Sequence, residues 1–168
     1  MVPLDTRFTG HVVTISTSCA AGRSSDRSGP LAVECLRAMG LDVADATICP
    51  DERLKIAREV LNYCDFSPVS LLLLTGGTGP TPDDVTPSAI AGLLDRRFEG
   101  IEAAIHEKGR ASTTQAPLSR VMAGARHQTI VISVPGSPGG VRDALSVLEP
   151  LLPHLLSLAQ GKRHPHEP

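Results

Sequence analysis

The apolar run Val69-Ser70-Leu71-Leu72-Leu73-Leu74 passes without a break into Thr75-Gly-Gly-Thr-Gly79. It is too short for a buried helix and shows no polar alternation, so it predicts a strand covered on both faces. Such a strand needs helices above and below it, which points to an α/β fold around a mostly parallel sheet. The glycine-rich ending says where a ligand would sit. In such sheets ligands bind outside the carboxyl ends of the strands, where backbone N–H groups can approach phosphate oxygens. Asp83-Asp84 and then Thr86-Pro87 follow at once, so a phosphate loop, two carboxylates and a helix start share one short segment.

The rest of the chain supplies partners for that strand. His11 to Ser16 is β-branched and short, and Thr129 to Val134 is similar, so both predict buried strands. Leu41 to Cys49 predicts a further strand, interrupted by Asp42 and Asp45. Between them, Ser28-Gly29-Pro30 opens a helix with Leu31, Cys35, Leu36 and Met39 on one stripe and Gly40 as its C-cap. A polar loop, Thr17 to Arg27, precedes it. Pro50-Asp51-Glu52 starts the next helix, with Leu54, Ala57, Val60, Leu61 and Cys64 recurring at helical spacing. Pro87 to Phe98 reads as a helix with Ile90, Leu93, Leu94 and Phe98 inward, and Gly100 to Gly124 as short helices, one around Leu118 to Ala123. Pro135 to Gly140 forms a second tight loop, followed by a long leucine-rich helix from Val141 that Pro150 and Pro153 should bend or restart.

The expected architecture is one three-layer α/β domain over residues 1–168, a mostly parallel sheet with helices on both faces, and 161–168 a polar tail. The loops after Ser16, Cys49, Leu74 and Val134 would then meet on one edge as a single pocket. A net charge of −2, no Trp, one Tyr and three Phe argue against a nucleic-acid binder, which is usually basic and supplies stacking aromatics. Cys19, Cys35, Cys49 and Cys64 are widely spaced and read as free thiols of a reducing compartment. Met1 to Gly10 lacks the apolar core of a signal peptide, and no run approaches the roughly 20 apolar residues of a membrane span. A soluble, cytoplasmic protein is expected.

Thr75–Gly79 lacks the Gly-Lys-Ser/Thr ending of a Walker loop and the G-x-G-x-x-G of a dinucleotide fold. Its weight comes from its neighbours. A carboxylate at a helix start gains roughly 0.3–1 kcal/mol from the helix dipole, so Asp83 or Asp84 could be a cap. Thr86 can serve as that cap, which leaves an acid to share a Mg²⁺ with phosphate oxygens. Asp51 stands likewise between a helix N-cap and a second metal-holding carboxylate. Arg120 is either a solvated surface arginine or a planar phosphate clamp. His164 and His166 suggest metal ligands less than they suggest an inert tail, and no G-x-S-x-G elbow is present.

With these residues in place, the chain resembles the molybdopterin-biosynthesis family that includes the Mog-type adenylyltransferases and the MoaB-type proteins. The resemblance covers nearly the whole chain and rests on four pieces in order. They are Ser16 to Gly22 with Asp26-Arg-Ser-Gly29; Pro50-Asp51-Glu52; Thr75-Gly-Gly-Thr-Gly79 with Asp84-Val-Thr-Pro87; and Pro135-Gly-Ser-Pro138 with Val141-Arg142. Leu118-Ser119-Arg120 and His164-Pro-His166 match as well. Many members have Ser-Asp where this chain has Ser16-Thr17, and a glutamate at the position of Ala103, one residue after Glu102 here.

The resemblance implies molybdenum cofactor biosynthesis by Mg²⁺-dependent adenylylation of molybdopterin with ATP, a homotrimer, and hand-over of product to the molybdenum-inserting enzyme of the pathway. It places the two functional acids, catalytic and metal-holding, on Asp51 and Asp84, and the pterin-phosphate serine on Ser119. Ser16, Ser18, Asp26, Thr75, Gly76, Gly77, Thr78, Gly79, Arg120, Pro135, Gly136, Ser137 and Pro138 complete the expected substrate-binding set. The alternatives are a non-catalytic molybdopterin-binding or carrier protein on the same fold, and an unrelated α/β nucleotide hydrolase. The paired acids favour the enzyme, and the missing Walker lysine counts against the hydrolase.

Overall fold

The computed structural model describes residues 8–161. In chain order the elements are β1 (Thr9–Ile15), α1 (Thr17–Ala20), α2 (Ser28–Ala38), β2 (Asp42–Val43), β3 (Thr47–Cys49) and α3 (Arg53–Leu61). Then come β4 (Leu71–Thr75), α4 (Thr86–Ile90), β5 (Arg96–Arg97), α5 (Glu99–Ser112), β6 (Met122–Arg126), β7 (Thr129–Val134), α6 (Pro138–Leu148) and α7 (Leu152–Ala159). The seven strands form one sheet in the order β2-β1-β4-β7-β6-β5, with β3 also paired to β1. Pairing is parallel from β2 and β3 through β7, while β6 runs antiparallel to β7 and β5 antiparallel to β6. This is the three-layer α/β architecture that the apolar strands predict.

Strand pleating explains why both faces must be covered. Val12, Leu71, Leu73, Ile130, Ile132 and Val134 point into one core, against Leu36 of α2, Ile105 of α5, Leu145 and Leu148 of α6, and Leu152 and Leu156 of α7. Their neighbours Val13, Ile15, Leu72, Leu74 and Val131 point the other way, against Ile56 and Val60 of α3 and Ile90 of α4. Removing one such side chain from water is worth about 1.5–3 kcal/mol, so the central strands anchor both layers.

Several boundaries differ from the sequence reading. Leu41–Cys49 holds two short strands, because Arg37 Nε takes the Val43 carbonyl at 2.8 Å and ends β2 there. The expected helix from Pro87 to Phe98 stops at Ile90, continues as a 3₁₀ turn over Ala91–Leu93, and gives way to β5. Its supposed inner face splits: Leu93 and Leu94 pack on one core and Phe98 on the other. The sheet edge wins here, as Asp95 and Phe98 N–H donate to the Ala125 and Ala123 carbonyls. Gly100–Gly124 contains one long helix, α5, and no helix over Leu118–Ala123, where a 3₁₀ turn (Ala116–Leu118) leads into β6. The polar Thr17–Arg27 loop contains α1, and Gly139 and Gly140 already belong to α6. On α3 the buried stripe is Ile56 and Val60, followed by Cys64, with Leu54 left 79% exposed.

The break between α6 and α7 falls at Pro150, as its prolines suggest. The four cysteines are free, and burial pushes the Cys49 and Cys64 thiols up to about 11. Among the described residues no helix is long and apolar enough to cross a membrane. His164 and His166 lie outside the described residues.

Candidate functional site

The carboxyl ends of β1, β3, β4 and β7 lie on one edge because these strands are parallel, so their loops meet. Backbone hydrogen bonds interlock them: Ser16 N–H donates to the Cys49 carbonyl at 2.9 Å, and Gly76 N–H to that of Val134 at 3.1 Å. Thr75 Oγ1 adds a bond to the Pro135 carbonyl at 3.1 Å.

The Thr75–Gly79 loop turns on two left-handed glycines, Gly76 at φ 108° and Gly77 at φ 61°. A Cβ on Gly76 would lie 2.3 Å from the Ile15 carbonyl oxygen, and one on Gly77 2.4 Å from Thr86 Oγ1. Only glycine fits at either position. Thr86 does not cap α4 with its side chain. Its hydroxyl donates to the Gly76 carbonyl at 2.9 Å and its N–H to the Gly77 carbonyl at 3.0 Å, so it buttresses the loop instead.

Asp51 stands against the middle of this loop and Asp84 against its end. A Cβ on Gly77 would lie 3.0 Å from Asp51 Oδ1, and one on Gly79 2.6 Å from Asp84 Oδ2. Two residues of chain span at most about 7 Å, so both carboxylates border the same stretch of backbone. Asp51 is not the N-cap of α3; that position is Glu52. Its Oδ2 accepts from Thr17 N–H at 2.7 Å and Thr17 Oγ1 at 3.0 Å, and its own N–H returns a bond to Thr17 Oγ1 at 3.0 Å. Threonine at position 17 thus fixes Asp51, where an acid would repel it.

Asp84 Oδ2 accepts from Thr81 N–H at 2.9 Å and Thr81 Oγ1 at 2.5 Å. Burial alone would push this carboxyl up. The hydrogen bonds from Thr81 and from Gly79 N–H, with the nearby Arg120 charge, outweigh it and hold the group below the usual carboxylate range. Asp84 is therefore charged at neutral pH. Asp83 is exposed.

Two cavities flank the Pro135–Pro138 loop. One, of about 440 Å³, is lined by Ser16, Asp26, Asp51, Thr75, Gly76, Gly77, Gly136 and Pro138 among others. The second, of about 470 Å³, includes Ser119, Pro135, Ser137, His106 and Arg142 in its wall. Thr78, Gly79, Asp84, Arg120 and Ser18 line neither. Asp26 reaches the first cavity, but its carboxylate is spent on the protein. It accepts from Thr14 Oγ1 at 2.6 Å, and from Ser28 N–H and Gly29 N–H at 3.0 and 2.9 Å, tying the start of α2 to β1. Ser18 bonds to the hydroxyls of Ser16 and Ser24. Ser137 caps α6 through Gly140 N–H, while Ser119 Oγ meets Thr78 Oγ1 at 2.9 Å.

Thr86, expected as a helix cap, holds the glycine loop instead; Thr17, seen in sequence only as a departure from the family motif, holds Asp51; and Thr81, which nothing in the sequence singles out, holds Asp84. The sequence reading missed the α5 wall of the second cavity, although Ile101 and Ile105 sit one helical turn apart. Glu102 is buried in a structural role: it forks with Arg97 at 2.6 and 3.2 Å and accepts from Ala123 N–H at 3.0 Å.

Residues 11–154 match the family model described as "Probable molybdopterin binding domain". The chain belongs to this family. Among the relatives, a molybdenum cofactor biosynthesis bifunctional protein of Synechococcus elongatus is 39% identical over 153 residues, covering 91% of this chain but 48% of that protein. The chain thus spans about half the length of that relative. A molybdopterin adenylyltransferase of Helicobacter pylori is 30% identical over 155 residues, covering 90% of this chain and 88% of its own. A solved structure of the molybdopterin biosynthesis enzyme MoaB from Thermus thermophilus superposes with TM-score 0.86 at 36% identity, covering 92% of this chain and 98% of that one. Fold and family both place this domain among molybdenum cofactor biosynthesis proteins.

Proposed function

We propose that the protein adenylylates molybdopterin with ATP, assisted by Mg²⁺. The observation that carries this reading is the pair of acids bordering a left-handed glycine loop, with Asp51 Oδ1 turned toward Gly77 and Asp84 held charged beside Gly79. The terminal phosphate oxygen of molybdopterin attacks the α-phosphorus of ATP; the new P–O bond forms as the bond to the β-phosphate bridge breaks, and pyrophosphate leaves with that electron pair. The attacking phosphate is already ionised, so no general base is needed, and positioning with charge neutralisation carries the acceleration.

The residues fit Mg²⁺ in a particular way. No group of three His, Cys, Asp or Glu side chains among the described residues could hold a metal alone. Two carboxylates with the remainder supplied by substrate phosphates is how Mg²⁺ is usually held, and it neutralises charge there when bound. The backbone of Gly76 and Gly77 would face the phosphates, the cavity beside Asp51 would admit the nucleotide, and Ser119 and Ser137 would receive the pterin phosphate on the other side of the Pro135–Pro138 loop. Exposed Leu151 and Leu158 near the carboxyl end are candidate contacts for the homotrimer, from which product passes to the metal-inserting enzyme.

The test is incubation of the protein with molybdopterin, ATP and MgCl₂, followed by mass spectrometry for adenylyl-molybdopterin. Wild type should form it and Asp84→Asn should not, with the fold unchanged. Molybdopterin bound by the wild type without product would instead support the carrier reading.

A further inference from the structure

Arg120 resembles a phosphate clamp in sequence, yet its side chain is engaged elsewhere. Its Nε donates to the Gly79 carbonyl at 3.0 Å, and its Nη2 donates to the carbonyl of Asp84. These two nitrogens form the side-on edge of the guanidinium, so one of its two bidentate edges is already used on the protein's own backbone. The same residue's N–H donates to the Thr78 carbonyl at 2.7 Å, and the preceding Ser119 Oγ meets Thr78 Oγ1 at 2.9 Å. The segment Ser119-Arg120 therefore ties down Thr78, Gly79 and Asp84 together.

We propose that Arg120 is a positioning residue: its guanidinium bridges the Gly79 and Asp84 carbonyls and so sets the loop that presents Asp84 to the phosphates. This rests on the reading of Asp84 as an acid of the phosphate site. A planar fork with fixed donors can close a loop by binding both of its ends at once, which a lysine ammonium on a flexible stem does not reproduce. The consequence is directional. Loss of the bridge frees the Gly79–Asp84 turn, and the Thr81 N–H held by Asp84 opens more often.

The test compares wild type, Arg120→Lys and Arg120→Met by amide hydrogen exchange on the full chain, with calorimetric titration of Mg·ATP alongside. Both variants should speed exchange at Thr81 about tenfold, the factor expected from losing a hydrogen bond of ordinary strength. Gly29, held by Asp26 elsewhere on the edge, should not change and reports that the fold is intact. Mg·ATP affinity should fall equally in both variants, because lysine keeps the charge but loses the fork. Unchanged Thr81 exchange in both variants would overturn the proposal. So would an Arg120→Lys protein that behaves as wild type while Arg120→Met loses Mg·ATP alone, which is the signature of a direct phosphate contact. A wild type that binds no Mg·ATP would count against the proposed function, while the exchange result would still decide the bridge.

Discussion

The loops after β4 and β7 are both glycine-rich and both end on the same edge, but they keep their shapes for different reasons. In Thr75–Gly79 the backbone itself is forced: Gly76 and Gly77 are left-handed, and neighbouring atoms exclude a Cβ at each. In Pro135–Gly140 no glycine has a positive φ; Pro138 opens α6, Ser137 caps it, and the space around Gly139 is open. The two loops touch through the Thr75 hydroxyl on the Pro135 carbonyl, and again where a Cβ on Gly136 would lie 3.0 Å from the Cα of Gly76. In the first loop glycine is thus required by backbone conformation and space together; in the second it is required by space alone, at Gly136 and at Gly140, where a Cβ would lie 2.6 Å from Pro135 Cβ.

Substitutions should rank accordingly. Gly77→Val forces a β-branched side chain into φ 61° against Thr86 and Asp51. It should cost about 3 kcal/mol in urea denaturation and abolish Mg·ATP binding by calorimetry. A Gly77→Val protein with wild-type affinity would end the steric account of this loop. Gly136→Ala needs only a shift of a few tenths of an ångström against Gly76, so a loss of about 1–2 kcal/mol is expected from the same denaturation experiment. Thr17→Val removes the hydroxyl that pairs twice with Asp51 and should cost about 1 kcal/mol. Gly139→Ala meets nothing within 4 Å at a helical position, and its stability should stay within about 0.5 kcal/mol of wild type. A large loss there would show that the second loop is as constrained as the first.

The central sheet was legible because its signal is local: Leu71–Leu74 and Thr129–Val134 have nowhere to go but between two helical layers. The segment from Ala91 to Ala125 was not, because its pairing is decided by distant partners. Arg96 and Arg97 become a strand only through Ala125 and Gly124, and Leu93 and Phe98 divide between opposite cores. At the site, the acids and glycines stood out by residue type and position. Their supports did not, since Thr17 reaches Asp51 across 34 residues of chain and Arg120 reaches Asp84 across 36, and nothing in the local sequence announces either contact. Asp26 shows the reverse case: it lines the cavity, as its position suggests, but its carboxylate also ties α2 to β1, which its position does not announce.

In the proposed function the forced loop and its two acids form the phosphate-metal site. The most direct measurement replaces Mg²⁺ with paramagnetic Mn²⁺, adds ATP, and maps the broadening of amide NMR signals over the whole chain. Broadening should centre on Gly76, Gly77, Gly79 and the neighbours of Asp51 and Asp84, and should weaken toward Gly139. Broadening centred away from that loop, or none at all with ATP bound, would contradict it.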